Sequence, residues 1–182
     1  MSRTLSNQQV FLSTGNPDTT NDATLYAPGE LGACFDYPAK GGPTYQRVQL
    51  DSGATSATPT GVVVVNSLLY WKSRINKIVT NDSRFAIGGQ TANAWRNQVA
   101  GIARVAGTAG YYIDILKTGN AINVLSDGTG GVGQTAIAIS TTTNPAVTPV
   151  AVGTASTYQA IGVYRSDSGT TAVIDVDIVN VD

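Results

Sequence analysis

Short stretches in which apolar and polar residues alternate, separated by glycine and proline, run along most of this chain. At 173–181 the sequence VIDVDIVNV places apolar side chains at 174, 176 and 178 with aspartates between them, and TAIAIST at 135–141 alternates in the same way. A period of two, rather than 3.6, is typical of strands with one buried face. Many short strands with Gly/Pro turns predict an all-β fold, either a small β-barrel or a sandwich.

A glycine-punctuated hairpin is predicted at 98–116, QVAGIARVAGTAGYYIDIL, where Gly107 and Gly110 bracket the turn. Residues without a Cβ adopt the positive φ angles that such turns require. The pattern returns: GIARVAGTAGYYIDI at 101–115 aligns without a gap with GVYRSDSGTTAVIDV at 162–176, with four identities. Two interpretations remain open, namely two related hairpins or a convergent strand composition.

Further strands are predicted on both sides of this hairpin. Residues 45–50 alternate, and the apolar run GVVVV at 61–65 indicates a strand buried on both faces or at an interface. The stretch LLYWKSRINKIV at 68–79 fits a helical face as well as a strand pair, and we favour strands or a short helical turn. Short strands are also expected at 122–125 and 160–163.

The first 28 residues differ from the rest of the chain in being polar, with VFL at 10–12 as an isolated apolar cluster. Such a segment buries too little surface on its own to offset its ordering entropy. We therefore predict an extended N-terminal arm over 1–28 and a single β-rich domain over 29–182. The arm either orders against a partner or is an unattached terminus, and the composition leaves both open.

Charged residues make up 13% of the chain, about half the usual fraction, and Gly, Ser, Thr, Val and Ala take their place. A neutral, hydroxyl-rich surface suits a protein that packs against other proteins. The net charge of −1 excludes a generally basic nucleic-acid binder. Residues 37–117 hold nine Lys/Arg and three Asp, a net +6, between acidic flanks. This asymmetry indicates either complementary packing of unlike surfaces or ordinary scatter.

The residue types present give little support for a catalytic function. The chain has no histidine, which removes the commonest general base and metal ligand, and it has one cysteine, Cys34, interpreted as a small buried side chain. Glu30 is the only glutamate, and no G-x-S-x-G motif occurs. We expect no enzyme activity and no cofactor. The first fifteen residues lack a signal-peptide core, and no apolar run has membrane-spanning length, so no membrane association is expected.

Two strings imitate ligand-binding motifs. Residues 128–133, GTGGVG, match G-x-G-x-x-G, but a strand-like sequence follows them, whereas a dinucleotide site requires a helix there. We interpret them as a hairpin turn. The acidic end of the chain offers Asp175, Asp177, Asn180 and Asp182, without the glycine and glutamate of a calcium loop. We expect Asp175 and Asp177 to be solvated or to face cations, and no metal to bind.

An aromatic residue lies among cations in the stretch WKSRINK at 71–77. Trp71 could stack on a nucleic-acid base or anchor a protein interface, where Trp, Tyr and Arg contribute much of the binding energy. It could equally be a core tryptophan beside solvated lysines and arginines.

Six short motifs follow one another along residues 29–178: GELG at 29–32, LYWK at 69–72, IVTND at 78–82, NQVAGI at 97–102, GYYI at 110–113 and IGV at 161–163. In this order they resemble the head decoration, or capsid cement, proteins of tailed bacteriophages. In that family an Ala-Gly-Ile/Val step precedes a Gly-Tyr-Tyr-like strand, and a final glycine-bearing strand closes a small β-barrel. Residues 1–28 and 134–157 lie outside the resemblance.

The resemblance implies a structural virion protein that is made in the host bacterial cytoplasm and lies on the outer surface of the capsid. Such proteins bind the assembled icosahedral shell across joints between subunits of the major capsid protein and stabilise it against the pressure of the packaged DNA. Catalysis, cofactors, metals, nucleic acid and membranes are not implied. The implied partners are the major capsid protein and other copies of the chain, as dimers or trimers.

Under this hypothesis the barrel sits over a local symmetry axis, and the arm lies along a capsid subunit or a sister copy. The alternative is a receptor- or glycan-binding module of a phage tail fibre or spike, in which exposed aromatic side chains stack on sugars. The predicted capsid or partner contacts are Val10, Phe11, Leu12, Trp71, Arg74, Lys77 and Trp95.

Overall fold

A computed structural model describes residues 17–25, 30–36, 42–52, 62–82, 85, 99–128, 130–137, 146–154, 159–166 and 169–178. The elements formed by these residues are all strands, as the alternating pattern predicts. They are β1 (Asn21–Asp22), β2 (Cys34–Asp36), β3 (Thr44–Leu50), β4 (Val62–Val63), β5 (Leu68–Ser73), β6 (Ile78–Thr80), β7 (Val99–Ala103), β8 (Gly107–Thr108), β9 (Tyr112–Leu125), β10 (Thr135–Ile137), β11 (Thr148–Val150), β12 (Ala160–Tyr164) and β13 (Thr171–Asp177).

Five of these strands close into a β-barrel, which confirms the barrel alternative. Strands β9, β7, β5, β6 and β3 are hydrogen-bonded neighbours in that order, and β3 pairs again with β9. The β3–β9 pair is antiparallel with Val48 opposite Ile113, and the β3–β6 pair is parallel. The ambiguous stretch at 68–79 is the antiparallel pair β5–β6, joined by a turn in which Lys77 has a φ of 53°.

Apolar side chains from every barrel strand form one buried cluster. Because side chains alternate along a strand, each barrel strand directs every second residue inward. These side chains fill the interior of the barrel. The cluster consists of Val48, Leu50, Val63, Leu69, Trp71, Val79, Ala100, Ala103, Ile113 and Ile115.

Strand β9 connects the barrel to a second layer. The sequence pattern predicted two strands here, at 111–116 and 122–125, but the structure joins them into one strand of 14 residues. Ala121 in this strand has a φ of 54°, and β9 pairs with β13 on both sides of it, from Thr118 to Leu125. Strands β12, β10 and β11 continue this outer sheet to its edge.

A second core lies between the outer sheet and the barrel wall. Barrel residues such as Tyr45, Leu68 and Leu116 form one buried cluster with outer-sheet residues such as Ile161 and Ile174. The outer sheet therefore has one face towards the barrel and one face away from it. Strand β9 therefore contributes to both cores. Leu116 belongs to the second core, and Ile113 and Ile115 belong to the cluster inside the barrel.

Three sequence expectations need correction. The glycine-bearing strand β12, with the IGV motif, does not close the barrel: it lies in the outer sheet, and β3 makes the closing pairs. In the run at 61–65, Val62–Val63 form a strand, and Val64 and Val65 are 38% and 40% exposed, so the run is not buried on both faces and the interface alternative stays open. Cys34 is exposed rather than buried, because it lies on β2 at the end of the sheet order.

The two similar stretches both form antiparallel strand pairs, β7–β9 and β12–β13. Their leading glycines share a physical role. A Cβ on Gly101 would lie 2.8 Å from the Leu116 carbonyl oxygen, and a Cβ on Gly162 would overlap the Asp175 carbonyl oxygen. The registers differ by two residues, since Ile102 faces Leu116 whereas its aligned residue Val163 faces Asp175. Both interpretations of the similarity therefore remain open.

Replacing Tyr70 with phenylalanine is expected to raise the free energy of unfolding by about 1 kcal/mol, because a buried hydroxyl without a hydrogen bond is costly. Tyr70 is fully buried in the second core, and its hydroxyl has no hydrogen-bond partner among the described residues. Burial also raises the pKa of Tyr70 above its ordinary range. Urea denaturation of both proteins measures the difference.

The matched control is Tyr164→Phe in the same core. The Tyr164 hydroxyl lies 3.0 Å from Ser126 Oγ in a buried hydrogen bond. Its removal should lower the free energy of unfolding by about 1 kcal/mol. Equal destabilisation by both substitutions would show that the Tyr70 hydroxyl has a partner in the folded protein.

Candidate functional site

Part of the predicted arm is fastened to the barrel. Residues 17–22, called here the anchor segment, include β1, which pairs antiparallel with β9 so that Asn21 faces Ile113. The Asp18 carboxylate accepts a hydrogen bond of 2.9 Å from the Tyr45 hydroxyl and lies 3.6 Å from Arg104 Nε. Pro17 is buried. An arm that leaves the domain can therefore comprise at most residues 1–16.

A buried group of charges lies beside the anchor segment. The Arg47 guanidinium on β3 donates from Nε to Asp114 Oδ1 at 2.5 Å and from Nη2 to Oδ2 at 3.0 Å. Its Nη1 lies 3.6 Å from Glu30 and 3.9 Å from Asp22. The Arg47 and Asp114 side chains are each 2% exposed. We call these four residues the charge cluster.

Opposing effects act on the ionisation of this cluster. Burial raises the pKa of Asp114, and the hydrogen bond and charge of Arg47 only partly oppose it. Burial alone would lower the pKa of Arg47, but Asp114, Glu30 and Asp22 raise it overall. The cluster joins the anchor segment, the segment before β2 and the barrel wall. Asp22 and Glu30 of the acidic N-terminal flank thus form ion pairs with Arg47 of the basic middle, within one chain.

The structure separates the predicted contact residues. Trp71 is 5% exposed, and the Nζ atoms of Lys77 and Lys117 lie 5.8 Å and 5.6 Å from its ring centroid. It is a core tryptophan, which was one of the three interpretations of its stretch. Arg74 and Lys77 are partly exposed in the β5–β6 turn. The remaining predicted contacts, Val10, Phe11, Leu12 and Trp95, lie outside the described residues.

Sequence reasoning missed an exposed apolar residue in this turn. Ile75, at the tip of the β5–β6 pair, is 93% exposed. It lies between Arg74 and Lys77, so the turn presents one apolar and two cationic side chains together. The available signal was an isoleucine inside the polar run SRINK, at a position where a strand pair must reverse.

A cleft of about 380 Å³ is bounded by the residues just before β3, by residues 118–120 of β9 and by strands β12 and β13. Asp175 in its wall accepts a 2.5 Å hydrogen bond from Arg165 and a 3.1 Å bond from the Ala121 backbone N–H. The Arg165 hydrogen bond lowers the pKa of Asp175. Asp175 thus faces a cation of its own chain. The lining residues are Gly42, Pro43, Thr118, Gly119, Asn120, Gly162, Val163, Asp175, Val176 and Asp177.

The other motif-like strings keep their structural interpretations. The described part of 128–133 leads into strand β10, and Gly133 has a φ of 85°, as a turn requires. Asn180 and Asp182 lie outside the described residues. Across the described ranges no three His, Cys, Asp or Glu side chains are grouped so that they could hold a metal ion.

Within the described part of the chain, no helix has the length and hydropathy needed to cross a membrane.

Comparison of the sequence with known proteins identifies no relative. Neither a protein-family model nor a curated protein matches the sequence.

Proposed function

We propose that this chain is a structural virion protein that binds the outer surface of an assembled icosahedral capsid and stabilises it. The observation that carries the proposal is the position of the motifs that resemble decoration proteins. LYWK, IVT, AGI and YYI lie on β5, β6, β7 and the start of β9, which are consecutive or adjacent strands of one closed barrel. Four of the six motifs therefore lie in one structural unit, whereas IGV lies on β12 in the outer sheet and GELG precedes β2.

The geometry supports a binding role for the outside of the molecule. The barrel interior is filled by its own side chains, so recognition has to use the outer surface and the arm. The anchor segment gives the arm a defined point of departure at Pro17, held by Asp18 and by the β1–β9 pair. An arm of residues 1–16 that starts from a fixed point can reach a neighbouring subunit of a shell.

Stabilisation of a shell by such a protein follows from mass action. A ligand that binds the assembled shell and not the free subunits shifts the equilibrium towards the shell. Many copies on a symmetric lattice add weak individual contacts through multivalency. The low charge of the chain suits this use, because few charged groups lose water when its surface is covered.

Deleting residues 2–16 is expected to lower the affinity for capsid shells at least tenfold while leaving the fold intact. The deletion keeps the anchor segment and all four residues of the charge cluster, whereas a deletion to residue 28 would remove the anchor segment and Asp22 of the cluster. The measurement is co-sedimentation of the purified protein with empty expanded shells that lack it, at increasing protein concentration. A thermal unfolding curve of each protein reports whether the domain remains folded.

Stoichiometric binding at a fixed ratio to the major capsid protein, with a raised shell melting temperature, is the expected result for the intact chain. Absence of shell binding by the intact chain would contradict the proposed function. If the truncated chain saturates shells with the affinity of the intact chain, the arm has no part in binding.

A further inference from the structure

The part of the outer sheet formed by β10, β11 and β12 is free of charged side chains. Residues 128–164, between Asp127 and Arg165, contain no Asp, Glu, Lys or Arg, and they supply β10, β11 and β12. Edge strands of soluble proteins commonly carry charged residues that prevent association with other strands or surfaces. Strand β11 ends the sheet order and carries none. This part of the surface therefore lacks the usual protection against protein contact.

Exposed valines concentrate on this part of the sheet. Thr135 on β10 lies opposite Val150 on one side and Val163 on the other, which makes a continuous row across three strands. Val132 precedes β10 and Val152 follows β11, so both lie at the same end of this antiparallel pair. Their exposed fractions are 67% and 78%, and that of Val163 is 42%. We call these five residues the neutral face.

The neutral face ends at a charged boundary and points away from the barrel. Asp175, which pairs with Arg165, lies opposite Val163 on the neighbouring strand. Ile174 and Val176, the sequence neighbours of Asp175 on β13, belong to the second core. Because side chains alternate along a strand, Asp175 and the opposite residue Val163 lie on the outward face of the sheet.

Pro149 limits how a partner can bind at this edge of the sheet. This residue lies in the middle of β11, the edge strand, and has no backbone N–H to donate to an added strand. Extension of the sheet by a further strand is thus disfavoured at this edge. A partner has to pack its side chains on the valines of the neutral face.

The N-terminal arm has the matching composition. Residues 4–17, between Arg3 and Asp18, contain no charged residue, and they include the apolar cluster Val10, Phe11 and Leu12. Contact between two uncharged surfaces buries apolar area without removing any charge from water. Sixteen residues span at most about 55 Å, whereas a domain of this length is about 40 Å across. The arm can therefore reach beyond its own domain.

The route of the chain favours a neighbouring copy as the recipient. The anchor segment pairs with the barrel part of β9, at Tyr112 and Ile113. The neutral face lies two to four strands further along the sheet, on the side away from the barrel. An arm would have to turn around the sheet edge to reach the face of its own copy, but it approaches the face of a neighbour directly. We infer that residues 1–16 of one copy dock on the neutral face of a second copy, with Val10, Phe11 and Leu12 against the valines.

The test is the self-association of the full-length chain in the absence of shells, measured by sedimentation velocity over a range of concentrations. Phe11→Ser disables the arm, and Val163→Lys disables the face. A lysine at position 163 places a charge on the neutral face, opposite the Asp175 carboxylate that already pairs with Arg165. Val65→Lys is the matched control, since Val65 is 40% exposed in a different turn.

The wild-type chain and Val65→Lys are expected to associate equally. Phe11→Ser and Val163→Lys should each lower the association constant at least tenfold. An equimolar mixture of these two variants should associate more strongly than either alone, because the intact arm of one meets the intact face of the other. The proposal is wrong if the wild type is monomeric, if either variant associates like the wild type, or if the mixture gains nothing. This readout is independent of shell binding.

Discussion

Replacing Asp114 with alanine is expected to lower the free energy of unfolding by about 3–5 kcal/mol, the usual cost of removing one partner of a buried ion pair. The substitution leaves the Arg47 guanidinium buried at 2% exposure without its bidentate partner. Glu30 and Asp22, at 3.6 Å and 3.9 Å, compensate only in part because both lie at one nitrogen, Nη1. Urea denaturation at neutral pH measures the loss.

Asp175→Ala is the matched control, because Asp175 occupies the aligned position of the second hairpin. Its partner Arg165 has a side chain that is 61% exposed, so solvent replaces the lost interaction and the effect should be much smaller. Equal losses for Asp114→Ala and Asp175→Ala would contradict the burial of the charge cluster.

The second large effect is expected at Gly162. Replacement by alanine should lower the free energy of unfolding by about 3 kcal/mol, because overpacking against an inflexible neighbour is costly. The added Cβ would overlap the carbonyl oxygen of Asp175 on the paired strand. Backbone cannot move aside as the end of a side chain can, so β12 and β13 would have to separate locally. Thermal and urea unfolding report the change.

Gly169→Ala controls for the general effect of removing a glycine. A Cβ at Gly169 meets no atom within 4 Å, and its φ is not in the positive range. Its replacement should leave stability unchanged or raise it slightly through a smaller unfolded-state entropy. If Gly162→Ala is as well tolerated as Gly169→Ala, the close approach of β12 to β13 is incorrect.

The fold class could be predicted from the sequence because period two is a local property. The stretch at 68–79 was ambiguous for an identifiable reason: Ile75 completes a helix-like spacing of apolar residues, yet it is the exposed tip of a strand pair. The continuity of β9 was missed because Gly119 and Asn120 resemble a break between strands. Strand order was beyond prediction, since barrel closure depends on the non-local β3–β9 pair.

The site was less predictable than the fold. Arg47 and Asp114 lie 67 positions apart, so nothing local pairs them. One signal was present: Asp114 interrupts the apolar run YYIDIL, where a charge is either solvated or buried with a partner. A tryptophan is common both in protein cores and at interfaces, so the sequence did not decide between them for Trp71. Its burial results from closure of the barrel, which is not a local property. The neutral face arises from three strands whose adjacency appears only in the tertiary structure.

The pairing of β1 with β9 sets an order of events during synthesis. Asn21 and Ile113 are 92 positions apart in sequence, so β1 cannot pair with β9 until most of the chain has left the ribosome. Contacts of such separation form late, after local hairpins, because closing a long loop costs entropy first. Asp114 of the charge cluster also belongs to β9. A molecule that has not completed β9 therefore lacks both the β1–β9 pairing and the buried Arg47–Asp114 ion pair.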